Sequence, residues 1–268
     1  MDEIWDTSPS LEQTAIEGYR RDGSVIVRGA LPPEALMQVR GDIRRVARQH
    51  AAPAVPMAQR STYQRAFTQV TNLWQRDERV AQVVCSVRLA EIATLLMGCA
   101  GVRLYHDQAL FKEAGGGPTP WHCDQFYWPV DTDNTITAWI PLQDTPLEQG
   151  PLSFAQGSAE YVAGRNLSIS DESESHLKDA MAQYPYASTA FALGDISFHS
   201  GWTYHHAGPN QTDDTREALT IIYLDKDATL SALSTAFKQY DARTWCPGVE
   251  PGGLINSPLN PIVFQWPA

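Results

Sequence analysis

The sequence predicts an α+β fold, mainly β, in which helices near the N-terminus buttress a core of antiparallel strands. Three observations predict it. Apolar residues at helical spacing come early in the chain. After Gly101, short β-type runs follow one another between Gly, Pro and Asx clusters. No repeat, low-complexity tract or long linker divides the 268 residues, so a single domain over 1–268 is expected.

Residues 10–22 read as a short helix stopped by Gly23, and residues 24–27 as a compact strand. Pro32-Pro33 opens a helix towards His50, because proline is tolerated in a helix's first turn. Residues 51–58, rich in Ala and Pro, form a loop. Residues 81–96 read as one further helix with Gly98 past its end. Strands are then expected over 103–112, 135–141, 152–155, 196–198 and 218–224, a spacing that suits an antiparallel sandwich or barrel. A helix over 171–181 interrupts them, and the Pro- and Gly-rich stretch 246–261 reads as a surface-covering loop.

Hydrophobic residues make up 43% of the chain, enough for a sizeable core. The net charge of -11 disfavours nucleic-acid phosphates and anionic lipid as partners. Residues 1–8 are polar and acidic, unlike a signal peptide, and no run of about 18 apolar residues announces a membrane span. The four cysteines are scattered, with no CxxC pair, so a reduced cytoplasmic protein is expected. Nothing in the sequence bears on oligomeric state.

The chemistry starts at Trp121-His122-Cys123-Asp124. In an extended strand residues two apart share a face, so His122 and Asp124 point together and Cys123 away. An imidazole and a carboxylate on one face supply two ligands of the facial triad of non-haem iron(II) oxygenases. Candidates for a third ligand are His199, His205 and His206; the last two are adjacent, so at most one of them faces the metal. Arg216 shares a strand face with Ala218, Thr220 and Ile222. Two partners suit an inward guanidinium: one of the chain's own acids, or the far carboxylate of a co-substrate gripped by the planar fork. The triple glycine 115–117 lacks the Gly-Lys-Ser/Thr ending of a phosphate cradle and reads as a flexible loop beside the site.

The segments WHCDQFYWP, ITAWIPLQDTPLEQGPLSFAQGS and GDISFHSGWTYHHAGPNQTDDTREALTIIY resemble the phytanoyl-CoA dioxygenase family, over about residues 12 to 225. The resemblance implies a double-stranded β-helix core (jelly-roll, cupin-like) and an oxygenase using Fe(II), 2-oxoglutarate and O2. His122 and Asp124 match the first two iron ligands. The family's distal histidine precedes an Asn by five positions, and that Asn precedes an Arg by six; Asn210 and Arg216 fit, which selects His205. Arg216 then matches the arginine that binds the far carboxylate of 2-oxoglutarate. Gln108 and Trp139 fall where relatives line the co-substrate pocket, and Lys112 is a weaker match. One departure is Gly157-Ser158-Ala159, where the family's "GSH" phrase has histidine.

Such enzymes release succinate and CO2 while a small organic substrate is hydroxylated or otherwise oxidised, and secondary metabolites are common among their substrates. Asp124 disfavours halogenation, since related halogenases carry a small residue there. Phe126, Tyr127, Trp128 and Trp202 lie close to the ligands in sequence and suit a flat or greasy substrate. Phytanoyl-CoA itself is disfavoured, because its phosphates call for a basic patch. The alternatives are a cupin-like isomerase or hydrolase with the same metal ligands, or an inactive binding module of this fold. Neither requires Arg216 at its spacing.

Overall fold

The computed structural model describes residue 5 and residues 11–52, 55–186 and 188–267. Helix α1 (Gln13–Asp22) ends at Gly23, whose left-handed backbone lets its N–H reach Tyr19 O. Ser10, where this helix was expected to begin, lies outside the described residues, as do residues 1–4 and 6–8 of the acidic N-terminus and residues 53 and 54 of the following loop. Strand β1 (Ser24–Val27) leads to α2 (Pro33–His50), which starts at the proline pair and buries Leu36, Val39, Ile43 and Val46 at helical spacing. The short α3 (Thr62–Ala66) and β2 (Thr68–Thr71) come next.

Two helices, α4 (Glu78–Val84) and α5 (Val87–Met97), replace the single helix expected over 81–96. The break has a local cause: Ser86 accepts the Leu89 N–H and starts a new helix as its N-cap. The stretch Glu78–Met97 reaches a mean hydropathy of 1.6, as apolar as a membrane span, yet 56% of that window is buried inside the fold. It is core.

The remaining elements are β3 (Gly101–Lys112), β4 (Thr119–His122), β5 (Thr135–Pro141), β6 (Leu152–Phe154), α6 (Asp171–Met181), β7 (Ile196–Ser200), β8 (His205–Ala207), β9 (Arg216–Asp225), α7 (Ala236–Trp245) and β10 (Ile262–Gln265). A large antiparallel sheet runs β1-β7-β5-β9-β3-β10, with β2 also paired to β3. A smaller one runs β4-β8-β6. The large sheet turns one face to α1, α2, α4 and α5, where Ile136, Ala138, Phe198, Leu219 and Ile221 join Leu36, Ile43 and Leu89 in the main core.

Strand alternation sends the intervening residues, Thr137, Trp139, His199, Arg216 and Thr220, to the opposite face, where they line a cavity together with His122 of β4, Leu152 of β6 and His205 of β8. The site therefore lies between the sheets. β3 reaches the same cavity only through an irregularity. Val102 and Leu104 face the helices, the pairing with β9 slips between Leu104 and His106, and from there His106, Gln108 and Leu110 line the cavity.

Candidate active site

The expectation that His122 and Asp124 converge holds, with a different local backbone. His122 ends β4, Cys123 is extended (φ -124°, ψ 140°), and Asp124 begins a tight 3-10 turn. One extended residue suffices to bring both side chains to one side. β8 pairs antiparallel with β4 and places His205 directly across from His122. One Nε2 or carboxylate atom from each of His122, Asp124 and His205 lies within 4.8 Å of the others.

Each histidine is oriented by its other nitrogen. His122 Nδ1 lies 2.8 Å from Pro120 O, and His205 Nδ1 lies 3.0 Å from Thr203 O. A carbonyl can only accept, so both Nδ1 atoms carry the proton and both Nε2 lone pairs are left for a metal. Burial keeps both imidazoles neutral by pushing their pKa values down, the state in which they coordinate. For Asp124, burial alone would raise the carboxyl; His205, His199 and His122 outweigh it and hold it well below the usual range. Its Oδ2 accepts from Thr137 Oγ1 at 3.1 Å and lies 3.3 Å from His199 Nε2, while Oδ1 sits 3.7 Å from both ligand imidazoles. His199 thus steadies the carboxylate. Two neutral imidazoles and one ionised carboxylate, fixed from behind, fit an iron(II) ion.

Arg216 is 1% exposed and, among the described residues, pairs with no acid. Its Nη1 donates to Gly150 O at 2.7 Å, its guanidinium lies 5.5 Å from the Trp139 ring centroid, and Nε has no partner. Burial lowers its pKa to about 10, so it stays charged at neutral pH. Of the two partners open to it on sequence grounds, the acids among the described residues are therefore not taken. Gly150 has to be glycine here: its φ is 64°, and a Cβ would lie 2.1 Å from Gly208 O. The neighbouring Glu217 points to the other face, where Arg40 and Arg44 grip it at 2.7 Å each, which fixes the start of β9.

Gln108 and Trp139 both line the cavity; Gln108 accepts from the Gln69 side chain, and the buried Trp139 Nε1 has no partner. Lys112 has a structural role. Its Nζ donates to Gly117 O and Gly208 O, each at 2.7 Å. Asn210, noted for its spacing alone, ties the β8–β9 loop: Nδ2 donates to Lys112 O, Glu113 O and Asp214 O, and Oδ1 accepts from Thr212. The glycines at 115–117 differ from the flexible loop expected. Their three N–H groups are taken by Asn210 O, Glu113 O and Arg65 O. Ser158, in the phrase lacking the histidine, accepts the Tyr204 N–H beside His205.

Tyr127 and Trp128 line the cavity, but Phe126 and Trp202 do not. Trp202 donates from Nε1 to Asp133 at 2.7 Å and is covered by Arg165, 4.2 Å from its ring. Phe126 packs edge-on to Tyr127 and Phe237. Nearness in sequence misled at both positions: Phe126 lies in the turn that follows Cys123 and Trp202 in the turn that follows β7, and neither ring enters the cavity. Unanticipated wall residues come from α3, β3 and α7: Tyr63, His106, Tyr240, Asp241 and Trp245. For α7 a signal exists: Thr235 caps it, and Phe237, Tyr240, Asp241 and Trp245 recur at helical spacing.

Cys123 packs with Trp121, Ala155 and Tyr204, and burial pushes its thiol up to about 12, so it supplies no thiolate. Cys123→Ala is expected to retain most turnover and to lose about 1 kcal/mol of stability. Iron content and succinate formation check this; loss of iron in a folded variant contradicts it.

Residues 19–218 match the sequence profile of the phytanoyl-CoA dioxygenase family. A probable alpha-ketoglutarate-dependent hypophosphite dioxygenase from Stutzerimonas stutzeri is 28% identical over 150 residues, 53% of this chain and 52% of that protein. The match thus spans about half the length of that curated relative. Among solved structures, the epimerase SnoN in complex with Fe3+, alpha ketoglutarate and nogalamycin RO is 25% identical, with a TM-score of 0.76 over 94% of this chain and 98% of that one. The non-heme alpha ketoglutarate dependent carbocyclase SnoK from nogalamycin biosynthesis is 23% identical, with a TM-score of 0.78 over 97% and 98%, and shares the fold. With the profile covering most of the length and the His-Asp-His set in place, the chain belongs to the phytanoyl-CoA dioxygenase family of iron- and 2-oxoglutarate-dependent oxygenases.

Proposed function

We propose that this chain uses Fe(II), 2-oxoglutarate and O2 to hydroxylate or otherwise oxidise a small organic molecule, a secondary metabolite, with release of succinate and CO2. One observation carries the reading. A His-Asp-His set and a buried arginine without an acidic partner share a single cavity of about 570 Å³. His122, Asp124 and His205 would hold the iron, which when bound supplies the activation of O2. Arg216 would bind the far carboxylate of 2-oxoglutarate, its free Nε and the Trp139 indole N–H being buried donors in need of an anionic oxygen. His199 and Thr137 hold the Asp124 carboxylate in place, and Tyr127, Trp128, Trp139 and Trp245 wall the cavity around it.

A cavity of this volume far exceeds what a hypophosphite ion requires and supports an organic substrate. We read the two sheets with the cavity between them as a double-stranded β-helix, and the whole chain as one domain. A cytoplasmic setting is supported by four free cysteines.

The test is anaerobic titration of the protein with Fe(II) and then 2-oxoglutarate. A visible charge-transfer band on the second addition is expected, followed by succinate formation in air. Tight metal binding with no band and no succinate overturns the proposal.

A further inference from the structure

On the large sheet, β3 and β9 run antiparallel with Lys112 opposite Arg216 and His106 opposite Ile222. At about 3.3 Å per residue, six positions separate the level of His106 from Arg216 by about 20 Å. Next to His106, the Tyr105 hydroxyl donates to Asp241 Oδ2 at 3.2 Å. Asp241 comes from α7, is 9% exposed, lines the cavity, and has no Lys, Arg or His partner among the described residues. Arg216, at the distant end, is the only Lys or Arg that lines the cavity among the described residues.

Around Asp241 the wall is aromatic. Trp245 stacks on His106 at 4.6 Å, Trp128 meets Tyr105 edge-on at 5.8 Å, and Tyr127 and Tyr240 also line the space. His106 Nδ1 is buried without a partner, and burial keeps the ring neutral by lowering its pKa to about 4. A neutral imidazole keeps one nitrogen as an acceptor. Burial also pushes the Asp241 carboxyl up to about 7, and a cation beside it would favour the ionised form. Ring faces and a carboxylate together favour a cation over a neutral hydroxyl.

We propose that Asp241, with the rings of Tyr127, Trp128, Tyr240 and Trp245, binds a positively charged amine, so that the substrate is an amine-bearing organic cation. This rests on the oxygenase reading only in calling the ligand a substrate. The amine sits at Asp241, the remainder extends towards His122, Asp124 and His205, and the Arg216 end is left to the dicarboxylate. The chain's net charge of -11 favours the approach of such a cation.

The experiment compares benzylamine, charged at neutral pH, with benzyl alcohol, its uncharged counterpart of nearly equal size. Dissociation constants are read from tryptophan fluorescence or ligand-observed NMR, with and without Fe(II) and 2-oxoglutarate under anaerobic conditions. Benzylamine is expected to bind about tenfold or more tightly than the alcohol. Asp241→Asn should erase that preference without altering the alcohol's affinity, and Tyr240→Ala, at the exposed rim, should reduce it. Equal affinity of the two probes for the wild-type protein overturns the proposal, and this comparison depends on no variant. So does an unchanged preference in folded Asp241→Asn. A charge-transfer band without amine preference removes the cation site alone; amine preference without the band removes the oxygenase reading alone.

Discussion

His205→Ala is expected to lose iron and all turnover, whereas His206→Ala keeps the metal and at most part of the rate falls away. The two side chains are adjacent in β8 and point to opposite sides. His205 lies across from His122, with Nε2 3.7 Å from Asp124 Oδ1. His206 packs at a tilt against Trp121 with ring centroids 4.1 Å apart and lies near Tyr186, outside the cavity. Removing one of three ligands should weaken iron binding by more than about a hundredfold, since even a lost supporting hydrogen bond costs ten- to a hundredfold. Asp124→Ala should behave like His205→Ala, because the β core does not depend on that carboxylate. Iron content after desalting and succinate formation are the measurements. Metal loss in the His206 variant, with metal retained in the His205 variant, would sink the assignment.

The metal set was legible in the sequence in two steps. Alternation placed His122 and Asp124 together and left the third ligand open; the family resemblance, through its spacing to Asn210 and Arg216, singled out His205 from its neighbour. The strands of the large sheet were legible for the same reason: Ile136, Ala138 and Ile140 alternate with Thr137 and Trp139, so the two faces of β5 are written in its residue types. What escaped depends on contacts distant in the chain. The slip at Tyr105 that turns His106 into the cavity breaks alternation without any change in composition. Thr137 and His199 support Asp124 from β5 and β7, 13 and 75 positions away. The Ser86 break lay hidden in a continuous apolar pattern, because one hydroxyl capping Leu89 outweighs helix propensity on both sides. Gly115 to Gly117 suggested mobility by composition, yet Asn210, Glu113 and Arg65 take up their amides.

Arg216→Lys should raise the apparent KM for 2-oxoglutarate about tenfold or more while leaving iron affinity nearly unchanged. A charge-assisted contact of about 1.5–3 kcal/mol corresponds to that range, and lysine cannot reproduce the planar fork that meets a carboxylate with two donors. The fold itself supplies a second reason. Burial takes Arg216 down only to about 10, which leaves it charged, whereas the neighbouring buried Lys112 is pushed down to about 6. A lysine in place of Arg216 meets the same burial, so at neutral pH it loses much of its charge as well as its geometry. The β9 backbone should hold its register in the variant, because Arg40 and Arg44 keep their grip on Glu217 on the far face. Gly150 O, which now accepts from Nη1, loses that donor and contributes a smaller cost in stability. Steady-state kinetics at saturating Fe(II), together with metal titration, separate the two effects. An unaltered 2-oxoglutarate requirement would remove Arg216 from the co-substrate site, and a parallel loss of iron would show that its role is to support the metal ligands.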